Sequence, residues 1–74
     1  MFDYTIEPDA SVEGFCKICR RIEKMPGVVK EDLLTDVDGS QIQHYRINGK
    51  SIEVYNDYYV GAIYVKSEEP IENI

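Results

Sequence analysis

Hydrophobic and polar residues follow two different periods in the first third of the chain. In FDYTIE, the apolar residues Phe2, Tyr4 and Ile6 alternate with polar ones, which predicts a half-buried strand. From Val12 to Met25 the apolar spacing becomes that of an amphipathic helix, because the apolar residues fall within one arc at 100° per residue. The arc contains Phe15, Ile18, Cys19 and Ile22, and the candidate N-caps are Asp9 and Ser11.

The rest of the chain is predicted to form strands joined by turns. The segment 28–36 suits a strand or a short helix, and we favour a strand because the DVDG turn sends the chain back. Segments 41–47 and 50–56 flank Asn48-Gly49, which is the strongest short-range hairpin signal. VGAIYVK (60–66) predicts the last strand. The element order β-α-β-β-β-β predicts an α+β fold in which a single helix packs on a curled antiparallel sheet.

The hairpin turn fixes which residues share a face of the sheet. With Asn48 and Gly49 in the turn, Tyr45 lies opposite Ile52 and Gln43 opposite Val54. By the same alternation, Ile63 and Val65 of the last strand lie on this side, and we expect the helix to cover it. The element order is similar to that of the cystatins and monellin, an analogy of order alone, because the cystatin Q-x-V-x-G loop is absent.

The opposite side of the sheet is the first candidate site, and we call it the outer tyrosine face. It comprises Ile42, His44, Arg46, Glu53, Tyr55, Tyr64 and Lys66. Three bulky residues within a polar rim are typical of an interface, and Tyr58 and Tyr59 in the next loop could extend it. The pattern therefore predicts a protein partner or a symmetric homodimer at this face.

Charge is distributed unevenly along the chain. The formal net charge is −6, yet the helical segment 12–25 has four basic and two acidic residues, which leaves −8 for the rest. The basic stripe of the helix, formed by Lys17, Arg20, Arg21 and Lys24, is a second candidate site. It suits an acidic protein or a nucleic acid, although the acidic total argues against nucleic acid. The acidic segments 31–38 and 68–72 suggest that the protein imitates a polyanion.

Catalytic, redox and metal functions have little support in the sequence. Cys16 and Cys19 form a C-x-x-C motif, but Cys16 lies more than a helical turn beyond Ser11, so packing is favoured and a thiol-redox role ranks third. His44 is the only histidine, which argues against a zinc site, and the DVDG turn lacks the ligand spacing of a calcium loop. His44 opposite Glu53 resembles a base with its orienter, but no nucleophile is positioned near it. We expect no enzyme activity and no cofactor.

The length of 74 residues allows one domain, which we place at residues 1–66, followed by an acidic and flexible tail at 67–74. The longest apolar run, 60–65, is too short to cross a bilayer, and the start of the chain does not resemble a signal peptide. The sequence therefore predicts a cytoplasmic protein-interaction protein, an adaptor or an inhibitor. The alternative is a nucleic-acid-binding module that uses either the basic stripe or the outer tyrosine face, where bases could stack on the tyrosines beside Arg46 and Lys66.

Overall fold

A computed structural model describes residues 2–70, and its elements follow the predicted order. The elements are β1 (Phe2–Glu7), α1 (Val12–Glu23), β2 (Val28–Thr35), β3 (Gln41–Ile47), β4 (Lys50–Asp57) and β5 (Ala62–Ser67). All strand pairs are antiparallel, and the sheet order is β1-β5-β4-β3-β2. The α+β class is confirmed. Segment 28–36, for which the sequence allowed either a strand or a short helix, contains the strand β2.

Helix α1 crosses the sheet between its two edge strands. Ser11 is the N-cap, and its Oγ accepts a hydrogen bond of 3.0 Å from the Gly14 amide. The helix ends at Glu23, two residues before Met25, and Gly27 at φ 80° turns the chain. Twelve residues give a helix of about 18 Å, and five strands about 4.8 Å apart place the edges about 19 Å from each other. One helix with short linkers therefore connects β1 to β2.

The hydrophobic core lies between α1 and the inner face of the sheet. On the helix, the predicted apolar arc is buried, and on the sheet Tyr45, Ile52, Val54, Ile63 and Val65 face it with 2% exposure or less. At Gly14 a Cβ atom would lie 2.7 Å from Ile63 Cδ1, so the helix approaches β5 where no side chain intervenes. The choice of inner face from the sequence is confirmed.

The predicted hairpin register is confirmed. Tyr45 pairs with Ile52 and Gln43 with Val54, while Asn48 and Gly49 adopt φ of 51° and 78° in the turn. The last strand begins at Ala62 rather than at Val60. Residues 57–61 form a turn instead, because Asp57 Oδ1 accepts hydrogen bonds from the amides of Tyr59 and Val60.

A bulge in β2 reverses the alternation of its side chains. Lys30 pairs with Tyr45 and Leu33 with Gln43, so Glu31 and Asp32 together stand opposite one residue of β3. The buried Gln43 amide holds this bulge, since its Nε2 donates to the carbonyl oxygens of Glu31 (2.9 Å) and Asp32 (3.3 Å). As a result Val29 and Leu34, five positions apart, pair with outer-face residues and extend that face toward the edge.

The predicted tail, 67–74, lies partly outside the described residues. Ser67 is the buried last residue of β5, and a Glu68 carboxylate oxygen accepts a 3.0 Å hydrogen bond from the Ser51 amide. Residues 71–74 are outside the described range. Within residues 2–70, no helix has the length and apolar character needed to cross a membrane.

Candidate functional site

The structure brings the seven residues of the outer tyrosine face together on β3, β4 and β5. Cross-strand partners are Ile42 with Tyr55, His44 with Glu53, Tyr55 with Tyr64, and Glu53 with Lys66, while Arg46 pairs with Ser51. Alternation places them opposite the core residues, so they lie on the side of the sheet away from α1. Among residues 2–70, no element covers this side.

The centre of the face is a stacked pair of tyrosines. The rings of Tyr55 and Tyr64 have centroids 4.7 Å apart and planes inclined by 10°. Lys66 Nζ lies 5.5 Å from the Tyr55 centroid and 5.9 Å from the Tyr64 centroid, within range of a cation–π interaction with both. Stacking and the lysine together restrict the orientation of both rings.

The two phenolic hydroxyls anchor the rings to carboxylates. Tyr55 donates to Glu53 Oε1 at 3.2 Å, and Tyr64 donates to Asp57 Oδ2 at 2.9 Å. Burial, followed by this hydrogen bond, raises the pKa of Tyr64 to about 12. Burial and the nearby charge of Glu53 raise the pKa of Tyr55 above its usual value as well. Both hydroxyls are therefore protonated donors at neutral pH.

The rim of the face contains paired polar and charged side chains. Glu53 Oε2 lies 3.4 Å from His44 Nδ1, and Arg46 Nε donates to Glu31 Oε2 at 3.3 Å. Arg46 also donates from Nη1 to the Gly49 carbonyl in the hairpin turn, at 3.2 Å. These partly exposed pairs contribute little to stability, but they fix the positions of the charges that a partner would meet.

A concavity of about 470 Å³ lies at the end of the face where turns 36–40 and 57–61 meet. The turns are joined by a 2.9 Å hydrogen bond from the Tyr58 amide to Ser40 Oγ. The apolar side chains lining the concavity are Leu34, Ile42, Tyr55, Tyr59 and Tyr64, and its carboxylates are Asp36, Asp38 and Asp57. No lysine, arginine or histidine lines it.

The three carboxylates also hold the turns in shape. Asp36 Oδ1 accepts from the Val37 amide at 2.7 Å, and Asp38 accepts from the Ser40 amide and hydroxyl. The DVDG turn predicted from the sequence is therefore present, and its own Asp side chains stabilise it. Hydrogen bonding from the Val60 amide, and from Tyr64 and the Tyr59 amide, lowers the pKa of Asp57 below its usual value. Asp57 is thus held as an anion.

The basic stripe lies on the helix side, away from the tyrosine face. Lys17, Arg20, Arg21 and Lys24 are all exposed, and within the described range none of them has a carboxylate within ion-pair distance. The acidic turns and the basic helix are therefore on different sides of the molecule. The charge separation inferred from the sequence becomes a separation in space.

The cysteines differ in their surroundings. Cys16 is exposed, whereas Cys19 is buried beside Tyr45, and the two remain free thiols. Burial raises the pKa of the Cys19 thiol above its usual value, although a hydrogen bond with Tyr45 acts in the opposite direction. Nucleophilic cysteines require the opposite shift, so the surroundings of Cys19 favour packing.

Neither a metal centre nor a known relative identifies the site. In the part of the chain that the structure describes, no three His, Cys, Asp or Glu side chains converge in an arrangement that could hold a metal ion. Comparison with protein-family models, curated proteins and solved structures finds no match. The geometry of the outer tyrosine face is therefore the basis for a functional proposal.

Sequence reasoning missed part of this surface. Leu34 could not be assigned to the outer face, because the bulge that puts it there is held by the side chain of Gln43. Asp36, Asp38 and Tyr59 were assigned to turns, but their convergence depends on how the two turns pack together. The available sequence signal was that each turn combines Asp with a large hydrophobic residue, Val37 in one and Tyr59 in the other, and the structure leaves both of these exposed.

Proposed function

We propose that the protein is a small, acidic, cytoplasmic interaction protein without catalytic activity, an adaptor or an inhibitor, which binds a partner protein through the outer tyrosine face. The observation that carries the proposal is the stacked Tyr55–Tyr64 pair, with Lys66 against it, on a side of the sheet that the rest of the described chain leaves uncovered. Tyrosine is enriched at protein interfaces and at the residues that dominate binding energy.

The pair is suited to binding because its rings are already oriented. Stacking, two hydroxyl–carboxylate hydrogen bonds and Lys66 restrict the side chains before a partner arrives. Binding then costs these side chains less conformational entropy than it would cost mobile ones. Ile42 and Leu34 continue the apolar surface toward β2. The rim supplies charges of both signs.

The acidic end of the face favours a basic partner surface. The carboxylates of turns 36–40 and 57–61 are adjacent to the tyrosine pair, and the protein as a whole carries −6. An acidic surface steers a positively charged partner into encounter. A sharper form of the proposal is that the protein occupies a site that otherwise binds a polyanion, with segment 31–38 as the acidic contact.

The test compares two matched double variants in affinity capture from the native host. In one, Tyr55→Ser and Tyr64→Ser remove the stacked pair; in the other, Arg20→Glu and Arg21→Glu alter the basic stripe. We expect a protein that wild type captures stoichiometrically to be retained by the stripe variant and lost by the tyrosine variant. Circular dichroism should show that both variants fold.

Either of two outcomes would overturn the proposal. One is capture that survives in the tyrosine variant and is lost in the stripe variant. The other is the absence of any stoichiometric partner together with monomeric sedimentation of wild type. A wild type that sediments as a dimer, and becomes monomeric in the tyrosine variant, would identify the partner as a second copy.

The second candidate is nucleic-acid binding through the basic stripe. One observation favours it, since all four basic side chains of the stripe are exposed and free of ion pairs within residues 2–70. The test is titration of a labelled single strand and a duplex of about 20 nucleotides at low salt, where electrostatic binding is strongest. Saturable binding that weakens steeply with salt, and is lost with Arg20→Glu and Arg21→Glu, would replace the first proposal.

A further inference from the structure

We propose that the concavity between turns 36–40 and 57–61 binds a lysine or, preferably, an arginine side chain from a basic segment of the partner protein. This inference rests on the proposed function and names the chemistry of the partner at one end of the outer tyrosine face. It is carried by the combination of aromatic side chains, aliphatic side chains and carboxylates without a basic partner in the lining of a single depression.

The shape of the depression suits a long side chain with an apolar stem. It is lined by Ile42 and the Tyr55–Tyr64 pair, and also by Leu34 and Tyr59, whose exposures are 54% and 92%. Arginine and lysine cover apolar surface with their methylene groups while the charged end reaches polar atoms. A side chain of this kind would bury aromatic surface that is now open to water.

The tyrosine pair already interacts with one cation. Lys66 Nζ lies within 6 Å of both ring centroids, and this is the distance range of cation–π attraction. Tyr64 extends from this pair to Asp57, so the ring that contacts Lys66 also borders the acidic concavity. The chain therefore displays the chemistry that we assign to the partner, an alkylammonium group against these two rings.

Charge complementarity specifies the sign of the ligand. Three carboxylates line the concavity, no basic side chain lines it, and none of the ion pairs formed within residues 2–70 involves Asp36, Asp38 or Asp57. The carboxylates do not converge as metal ligands do, so they suit an extended cation better than a single ion. The planar guanidinium of arginine can also stack on tyrosine, which favours it over lysine.

The experiment uses capped five-residue peptides in which glycine alternates with arginine, lysine, glutamine or glutamate. Each peptide is titrated into the ¹⁵N-labelled full chain while amide shifts are followed. We expect saturable shifts in turns 36–40 and 57–61 with the arginine peptide, weaker shifts with lysine, and none with glutamine or glutamate.

A matched pair of variants separates a site from overall acidity. Asp36→Asn with Asp38→Asn removes two charges and keeps acceptors for the turn amides, whereas Asp9→Asn with Glu13→Gln removes two exposed charges elsewhere. Affinity for the arginine peptide should fall about threefold to tenfold in the first variant and stay within about twofold in the second.

Tyr59→Ser is a further variant, used in case the asparagine changes alter the turns. Its side chain is 92% exposed, so the fold should not depend on it, and the arginine peptide should bind more weakly. Equal weakening by both charge variants, shifts that map elsewhere, or no saturable binding would overturn the inference. Self-association of wild type that is abolished by Asp36→Asn with Asp38→Asn would instead make a second copy's basic stripe the occupant.

The two proposals fail in different experiments. If the partner is lost with Tyr55→Ser and Tyr64→Ser but the arginine peptide does not bind the concavity, the outer tyrosine face stands and only the basic ligand is wrong. If the peptide binds but partner capture is unaffected by the tyrosine variant, the cation site stands and the proposed interaction surface is wrong.

Discussion

Removal of one buried hydroxyl, by Tyr45→Phe, tests the energetics of the core. Tyr45 is 0% exposed, and its hydroxyl donates a 2.5 Å hydrogen bond to Glu23 Oε2 at the end of α1. A hydrogen bond to a charged group contributes about 1.5–3 kcal/mol. Because the Glu23 side chain is 38% exposed, water can replace the lost donor. We therefore expect the variant to lose an amount at the low end of this range, about 1.5 kcal/mol of its free energy of unfolding.

Urea denaturation followed by circular dichroism measures this loss. With an m-value of about 1 kcal/mol per molar urea for a small protein, the midpoint should fall by about 1.5 M, and Tm by about 6–12 °C. The pKa of Tyr45 is raised, first by burial and then by the hydrogen bond to Glu23. Because the pKa of Tyr45 is higher in the folded state than in the unfolded state, its contribution to stability is complete below the usual tyrosine pKa and decreases as the pH rises above that value. The difference in stability between wild type and variant should therefore shrink at alkaline pH.

The control is Tyr59→Phe, the same chemical change at a side chain that is 92% exposed, and it should alter stability by less than about 0.5 kcal/mol. A double-mutant cycle with Glu23→Ala should show coupling between Tyr45 and Glu23. Equal effects at Tyr45 and Tyr59, or additive effects in the cycle, would refute the reasoning that the buried hydroxyl stabilises the fold through Glu23.

Two further predictions concern the cysteines and the outer face. Cys16→Ala with Cys19→Val should keep partner capture and cost less than about 1.5 kcal/mol of stability; loss of capture with the fold intact would restore the thiol-redox hypothesis. Since the pKa of Tyr64 is raised to about 12 from 10.0, wild-type stability should decline as pH rises between these values. Tyr64→Phe should remove that part of the decline in alkaline urea titrations, and an unchanged decline would contradict the raised pKa of Tyr64.

The basic stripe and the acidic concavity lie on opposite sides of the sheet, and this bears on how the proposed site can be tested. Segment 12–25, which contains α1, has a formal charge of +2, whereas the concavity on the other side of the sheet has three carboxylates and no basic residue. If the proposed site is correct, this field would steer a basic partner toward it and away from the helix. An acidic partner would be steered the other way, which is why the stripe variant is the informative control for the tyrosine variant.

The sequence alone determined the features that depend on local periodicity and turn chemistry. Asn48 and Gly49 tolerate positive φ, so the hairpin register followed from two residues, and the register assigned Tyr55 and Tyr64 to the side opposite Ile52 and Val54. The helical arc followed from the 3.6-residue period. These inferences succeed because each depends on residues that are close together in the chain.

Only the tertiary structure decided the features that depend on distant contacts. The pairing of β1 with β5 joins the two ends of the described chain, and no local pattern encodes it. The β2 bulge depends on Gln43, eleven and twelve residues beyond the carbonyls it binds, and it reverses the side on which Leu34 lies. The acidic concavity forms because Ser40 binds the amide of Tyr58, eighteen residues later, and so brings two turns together. Alternation along a strand cannot reveal such contacts, because they are set by the packing of elements and not by the period within one.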